Sequence, residues 1–218
     1  MKTSSLLIEQ HEIGPMENFV YFVGDAHTKE VLVVDPAWEV DTLLKRAREK
    51  DLKIVGALIS HHHHDHTNGI SDLLEEKEIP VYVNKHDAEF IRTAPLSSLT
   101  ALDHGAHIQV GDIDIELIHS PGHTPGSQCF KVNNNLISGD TLFINGCGRC
   151  DFPGGNAEQM YYTLTQKLMR LPDDVVLYPG HHYAASPTST MGEQKQSNPY
   201  LRLAAQSLKD FLKLRMGK

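Results

Sequence analysis

A chain of 218 residues with 40% hydrophobic residues can bury a sizeable core, and a single domain over residues 1–218 is expected. Its formal charge of −8 excludes nucleic acid and anionic membrane as partners, because no basic excess is present to meet phosphates. Cys129, Cys147 and Cys150, an odd number without a framework, suit a reducing compartment; Met1–Glu9 is too short in apolar residues for a secretory signal, and no run approaches the ~20 residues of a membrane span, so the expected location is cytoplasmic.

In chain order, Leu6–Ile8, Phe19–Val23 and Val31–Val34 read as strands, the last apolar throughout and ended by Asp35-Pro36. Together they suggest an antiparallel start to a sheet. Val40, Leu43, Leu44 and Ala47 recur at helical spacing. A strand at Ile54–Ile59 runs into Ser60-His61-His62-His63-His64-Asp65-His66, and Ile70, Leu73 and Leu74 mark a helix beyond it. Pro80–Val83 is a short strand and Asp87–Ile91 reads as helical, whereas Pro95–Gly105 has no clear period and reads as loop. Strands follow at His107–Val110 and Ile113–Ile118, and a hairpin at Gln128–Val132 and Leu136–Ser138 turns at Asn133–Asn135. After the glycine-rich Gly146–Gly155, Asn156 is placed to cap a helix carrying Met160, Leu164 and Leu168. Val175–Tyr178 is the last strand. One closing helix is expected from Asn198-Pro199 onward, with Leu201, Ala204, Leu208, Phe211 and Leu212 on one face. Strand groups alternating with amphipathic helices predict an α/β fold with helices outside sheet layers.

Fourteen histidines need an explanation, and four motifs share one grammar that supplies it. His61-x-His63-x-Asp65-His66, Pro121-Gly122-His123, Gly139-Asp140 and Pro179-Gly180-His181 each follow a strand and carry imidazole or carboxylate, the ligands that zinc and iron take. Ligands at strand ends are held rigidly at one sheet edge, and the glycines allow the sharp turn that aims the next side chain. If the first motif is extended, 61, 63 and 65 share a parity and 66 points elsewhere, towards a second ion. His62 and His64 then fall on the alternate parity as bystanders. A purification tag lacks the interposed aspartate and sits at a terminus.

This set resembles the metallo-β-lactamase superfamily, and the resemblance covers essentially the whole chain. It implies an αββα sandwich, two mixed sheets flanked by helices, with metals at one edge. Carried onto this sequence it implies His61, His63 and His123 for one ion, Asp65, His66 and His181 for a second, and Asp140 bridging them. His182 is expected to be wall rather than ligand, and His11, His27, His86, His104, His107 and His119 belong to no motif. Two divalent ions, zinc first with iron or manganese as further candidates, would lower the pKa of a bridging water and polarise a carbonyl. Asp65 would orient the attacking hydroxide and take its proton. This is hydrolysis of an activated acyl compound without a protein nucleophile.

Gly139-Asp140-Thr141-Leu142-Phe143 and Gly180-His181-His182-Tyr183 look like glyoxalase II, a hydroxyacylglutathione hydrolase. That resemblance implies a thiol-derived small-molecule substrate such as a glutathione conjugate, bound by Arg149 and Tyr183. The family's longer helical C-terminal domain is not matched; Lys209, Lys213, Arg215 and Lys218 read as an exposed charged face. Cys147-Gly148-Arg149-Cys150-Asp151-Phe152, with Glu193 and Asn198-Pro199-Tyr200-Leu201, also looks like the persulfide dioxygenase branch. That branch implies a single iron on His61, His123 and Asp140 and the oxidation of glutathione persulfide. The strand-end motifs tilt the reading towards a thioester hydrolase. Cys147 and Cys150 read as inert loop cysteines, and the oligomeric state is left open.

Overall fold

The computed structural model describes residues 5–216; the Met1–Ser4 part of the N-terminal segment and Lys218 lie outside the described residues. Strands β1 (Leu6–Ile13), β2 (Asn18–Asp25) and β3 (Glu30–Val34) form the expected antiparallel ladder. Helix α1 (Val40–Glu49) crosses over to β4 (Lys53–Leu58), which lies parallel to β3. Helices α2 (His64–Thr67) and α3 (Ile70–Glu76) lead to β5 (Val81–Asn84), and β6 (Leu99–Leu102) completes a mixed sheet in the order β1-β2-β3-β4-β5-β6.

The second sheet begins with β7 (His107–Val110), β8 (Ile113–His119), β9 (Gln128–Val132) and β10 (Asn135–Gly139), joined antiparallel in sequence. A small hairpin of β11 (Leu142–Phe143) and β12 (Gly146–Cys147) follows, then helix α4 (Ala157–Gln166). Strand β13 (Val176–Pro179) returns parallel to β10 and pairs with β14 (Ser189–Thr190), giving the order β14-β13-β10-β9-β8-β7. Helices α5 (Met191–Ser197), α6 (Pro199–Ala204) and α7 (Leu208–Met216) end the described chain.

Strand alternation builds the layers. On β2, Phe19, Tyr21 and Val23 face a central core shared with Leu117, Phe130, Val132 and Ile137 of the second sheet. Their neighbours Val20 and Phe22 face the other way, against Val40, Leu43 and Leu44 of α1 and Ile70 and Leu73 of α3. On the far side Leu136 and Leu177 meet Met160 and Leu164 of α4, Met191 of α5, Leu201 of α6 and Phe211 of α7. Two mixed sheets between two helical layers are the expected αββα sandwich. The apolar runs of β2 and β3 are continuous because both faces of the sheet are covered. Each fully buried Val, Leu or Phe in these layers contributes roughly 1.5–3 kcal/mol.

Local readings depart from the structure in several places; α4 ends at Gln166, so Leu168 lies in the 3-10 turn after it, and the short strands β12 and β14 fall where no strand was read. Pro95–Gly105 is not all loop, since β6 pairs with β5; an edge strand with exposed Thr100 and Ala101 carries no buried alternation to betray it. Asp87–Ile91 makes only a 3-10 turn at Ala88–Phe90. The closing helix is two helices, because the Ser207 hydroxyl accepts from the Asp210 amide and starts α7 afresh, while Leu201, Ala204 and Phe211 keep a helical period across the break. Helix α5, absent from the sequence reading, is announced by the reciprocal cap between Thr190 and Glu193.

The two sheets are pinned together at one edge. Gln128 donates its backbone N–H to Ser60 O and its side chain to Ile59 O, both at 2.8 Å. The Phe19 amide donates to Gly180 O at 2.8 Å, and Asn18 bridges to His181. The ends of β4, β8, β10 and β13 therefore converge where the sheets meet.

Candidate metal centre

The chain leaves β4 extended as far as His63, which sets His61 and His63 on the same side. It then winds into α2, with His66 N–H donating to His63 O at 3.0 Å. Asp65 and His66 thus come from one helical turn. Asp65 does not continue the extended parity of 61 and 63; it sits with His66 and His181. The β8–β9 turn brings His123, β10 ends at Asp140, and β13 ends at His181. Two glycines make this approach possible. At Gly139, with φ +48°, a Cβ would lie 2.6 Å from Ser60 Cβ; at Gly180 it would lie 2.4 Å from Asp140 Oδ1.

Ligand-type atoms gather into three overlapping groups: His61, His63 and His123; His61, His66 and Asp140; and Asp65, His66 and His181. Asp140 joins them. Its Oδ1 is 3.4 Å from His66 Nε2, and its Oδ2 is 3.6 Å from His123 Nε2 and 3.5 Å from His181 Nε2. Asp65 Oδ2 lies 3.3 Å from His66 Nε2 and 3.4 Å from His181 Nε2. All seven sequence-expected ligands are within these groups.

Hydrogen bonds orient the imidazoles. His123 Nδ1–H donates to Arg149 O at 2.6 Å, His181 Nδ1–H to Met16 O at 2.9 Å, and His66 Nδ1–H to Asp35 Oδ2 at 3.0 Å. Ser60 Oγ–H donates to Asp35 Oδ2 at 2.6 Å and can accept from His61 Nδ1–H at 3.0 Å. In each of the four rings the Nε2 lone pair is left facing the cluster.

That arrangement fits a cation. His61 Nε2, His123 Nε2 and Asp140 Oδ1 are buried without a hydrogen-bond partner, which costs on the order of 1–3 kcal/mol each if nothing binds them. His66 Nε2 and His181 Nε2 face each other at 3.1 Å, a repulsive contact between two lone pairs unless a proton or ion lies between them. Donor atoms about 2.1 Å from one tetrahedral ion sit about 3.4 Å apart, the spacing seen around Asp140 and Asp65.

Charge and burial divide the histidines. Burial, then the neighbouring imidazoles of His66, His123 and His63, hold His61 well below the usual histidine range. Burial and His123 push His63 down to about 4, and burial lowers His123 against the pull of Asp140. Burial also opposes the charged form of His66, but Asp140, Asp35 and Asp65 outweigh it and raise its pKa. His181 rises to about 9 in the same way, through Asp140 and Asp65. Burial would raise Asp140, yet His66, His181 and His123 hold it down to about 2.

Sequence reasoning missed three supporting residues. Asp35, treated only as a strand terminator, is buried with φ +53° and orients His66 directly and His61 through Ser60. Its position at a strand end facing the histidine run was the available signal. Asn18 donates to Asp65 Oδ2 at 3.0 Å and accepts from the Trp38 indole N–H at 2.8 Å. Asp87, fully buried, accepts from His62 N–H, Gly126 N–H and the Thr124 hydroxyl.

His62 points away from the groups, its Nδ1 2.9 Å from Asp87 Oδ2, and His64 is exposed. His182 pairs with Glu12 at 2.7 Å, His107 with Asp114 at 2.8 Å, and His119 with the Pro125 carbonyl at 2.8 Å. Arg149 reaches the centre through its backbone carbonyl, while its guanidinium makes a two-point ion pair with Asp151 and covers the Phe152 ring at 4.1 Å. Tyr183 stacks on His181, with ring centroids 4.6 Å apart. Cys147 and Cys150 are buried thiols, and burial raises both, Cys150 to about 11, so neither is a ready thiolate.

Comparison with known proteins places this geometry in a family. The model of the metallo-beta-lactamase superfamily matches residues 13–181. A probable polyketide biosynthesis zinc-dependent hydrolase, BaeB, of Bacillus velezensis is 31% identical over 85% of this chain and 82% of its own. The mitochondrial persulfide dioxygenase ETHE1 of Homo sapiens is 33% identical over 90% of this chain and 75% of its own. A probable hydroxyacylglutathione hydrolase of Schizosaccharomyces pombe is 29% identical over 93% and 89%. The chain belongs to the metallo-beta-lactamase superfamily. Among the described residues no helix is long and apolar enough to cross a membrane.

Proposed function

We propose that this member of the metallo-beta-lactamase superfamily is a dinuclear metal-dependent hydrolase that cleaves a thioester of a small thiol, as glyoxalase II does. The observation that carries the reading is the pair of complete ligand trios joined by Asp140. His61, His63 and His123 would hold one ion, Asp65, His66 and His181 the other, and Asp140 would face both. Bound there, two divalent ions, zinc first, would lower the pKa of a bound water to near neutral and would polarise a substrate carbonyl.

The chain's own groups do the remaining work. Asp35 keeps His66, and through Ser60 also His61, in the tautomer that presents Nε2. The Arg149 and Met16 carbonyls do the same for His123 and His181. Asp65 is fixed by Asn18 and orients the attacking water towards the carbonyl carbon. Tyr183 and Arg149 stand at the rim, where they would meet the thiol carrier, with glutathione as the first carrier to try. Arg149 has to exchange Asp151 for a substrate carboxylate to serve that role.

The zinc-dependent hydrolase and hydroxyacylglutathione hydrolase relatives support hydrolysis; the persulfide dioxygenase relative defines the competing outcome. Metal analysis of purified protein should be paired with two assays: S-lactoylglutathione hydrolysis, and oxygen uptake with glutathione persulfide. Two zinc-like ions per chain with thioester cleavage are expected. One iron per chain with oxygen uptake and no thioester cleavage would overturn the proposal.

A further inference from the structure

The mouth of the centre is walled by aromatic side chains that a water-facing loop has no reason to carry. On one side Phe90 packs on His62 at 5.0 Å, His62 on His63 at 5.0 Å, and His63 on Phe152 at 5.5 Å. On the other side Phe143 and Tyr183 pack on each other at 5.4 Å and on His181 at 5.9 and 4.6 Å. Phe90, Phe152 and Tyr183 are 43%, 40% and 55% exposed, so much of each ring is in water. They come from three separate segments and touch histidines of the same cluster or its flank. Clustered exposed apolar surface of this kind beside polar, ligand-type atoms marks a binding wall.

The charges of these walls are already matched. Arg149 is closed onto Asp151 by two hydrogen bonds, at 2.8 and 2.7 Å, and its guanidinium lies over Phe152; His182 is closed onto Glu12. Apart from the Tyr183 hydroxyl, these walls present ring surface rather than polar groups. A short hydroxyacyl group would leave these rings wet, whereas an alkyl or aryl group would cover them.

We infer that Phe90 and Phe152 on one wall, with Phe143 on the other, form an acyl-binding clamp that selects thioesters of apolar acyl groups over short hydroxyacyl groups, while Tyr183 is left to the thiol carrier. The inference rests on the hydrolase reading for the reaction, but not for the binding. A longer acyl chain buries more ring and more methylene surface, with about two- to fourfold gained per methylene, fourfold being the ~0.8 kcal/mol of a fully buried CH₂.

Binding and turnover are therefore measured separately on the metal-loaded protein. Calorimetry with the non-hydrolysable thioethers S-methyl-, S-butyl- and S-hexylglutathione should show affinity rising at least about thirtyfold from methyl to hexyl, twofold for each added methylene. Phe152→Ala and Phe90→Ala should flatten that dependence, with little change for the methyl ligand, and Phe152→Leu should restore part of it. Both rings are exposed, so folding is expected to survive, and a far-ultraviolet spectrum checks it. Equal affinity for the three thioethers, or a slope that the alanine variants leave intact, would overturn the clamp. The turnover arm compares lactoyl-, butyryl- and hexanoylglutathione. Faster cleavage of the hexanoyl ester supports the clamp, and lactoyl preference contradicts it. A rising thioether slope with no cleavage of any thioester would leave the clamp standing and remove the hydrolase reading instead.

Discussion

Asp35→Asn tests whether the centre depends on a residue that touches no reacting atom. Asparagine keeps the size of the side chain and tolerates the positive φ of this position, so the backbone has no reason to move. The carboxylate accepts from Ser60 N–H at 2.6 Å, Ser60 Oγ–H at 2.6 Å and His66 Nδ1–H at 3.0 Å. An amide oxygen can still serve Ser60 N–H through the Oδ1 position. The amide NH₂ then faces the Ser60 hydroxyl and His66 Nδ1, two groups that had been donating. His66 answers by moving its proton to Nε2, which removes the lone pair that faces Asp65, Asp140 and His181. Losing one hydrogen bond to a charged acceptor costs about 1.5–3 kcal/mol. That corresponds to roughly 10- to 100-fold weaker metal binding, the range expected when an outer hydrogen-bond partner of a ligating histidine is removed. The assay is metal titration against a competing chelator, with a thermal melt of the metal-free protein as the control for folding. Ser60→Ala removes only the relay to His61 and should cost less, about three- to tenfold. An Asp35→Asn protein that folds and binds metal as tightly as wild type would refute the argument.

Other perturbations follow from the same geometry. Asp140→Ala should lower metal content and activity together, while His64→Ala, at an exposed position, should leave metal content near wild type by elemental analysis. In the metal-free protein the neighbouring carboxylates raise His181 to about 9 and raise His66 as well, so the facing Nε2 pair holds a proton at pH 7, whereas His63, at about 4, is already neutral. Metal loading at pH 7 should therefore release about one proton, and less as pH rises through 9. Calorimetry in buffers of different ionisation enthalpy reads this, and buffer-independent heats would contradict it. Gly180→Ala places a Cβ 2.4 Å from Asp140 Oδ1 and should cost about 1–3 kcal/mol in denaturant midpoint together with metal content.

Much of this molecule is written locally. The strands β2, β3 and β4 are legible because both their faces are buried, which leaves continuous apolar runs. The Asn156 cap and the β9–β10 hairpin are legible because their signals lie within a few residues. The ligand set is legible because each of its four segments follows a strand end, and three of the four are announced by glycine. What lacks a local signal is what depends on a partner far along the chain. Strand β6 exists only through its pairing with β5, and the break before α7 is hidden by an apolar period that continues across it.

The sequence by itself marked an α/β arrangement with helices outside sheet layers and the candidate ligands, since burial on two faces and strand-end chemistry both leave periodic or clustered marks; the αββα order came with the resemblance to the superfamily. Only the tertiary structure decided how the backbone delivers those residues to the division that the resemblance implied. It put Asp65 with His66 and His181, because the chain turns helical at His64, and it placed Asp140 between the trios, because Gly180 leaves room for it. It also recruited Asp35, Asn18 and Asp87, whose contacts to the histidine run span 25 to 47 residues of chain and so carry no spacing that a linear reading can see.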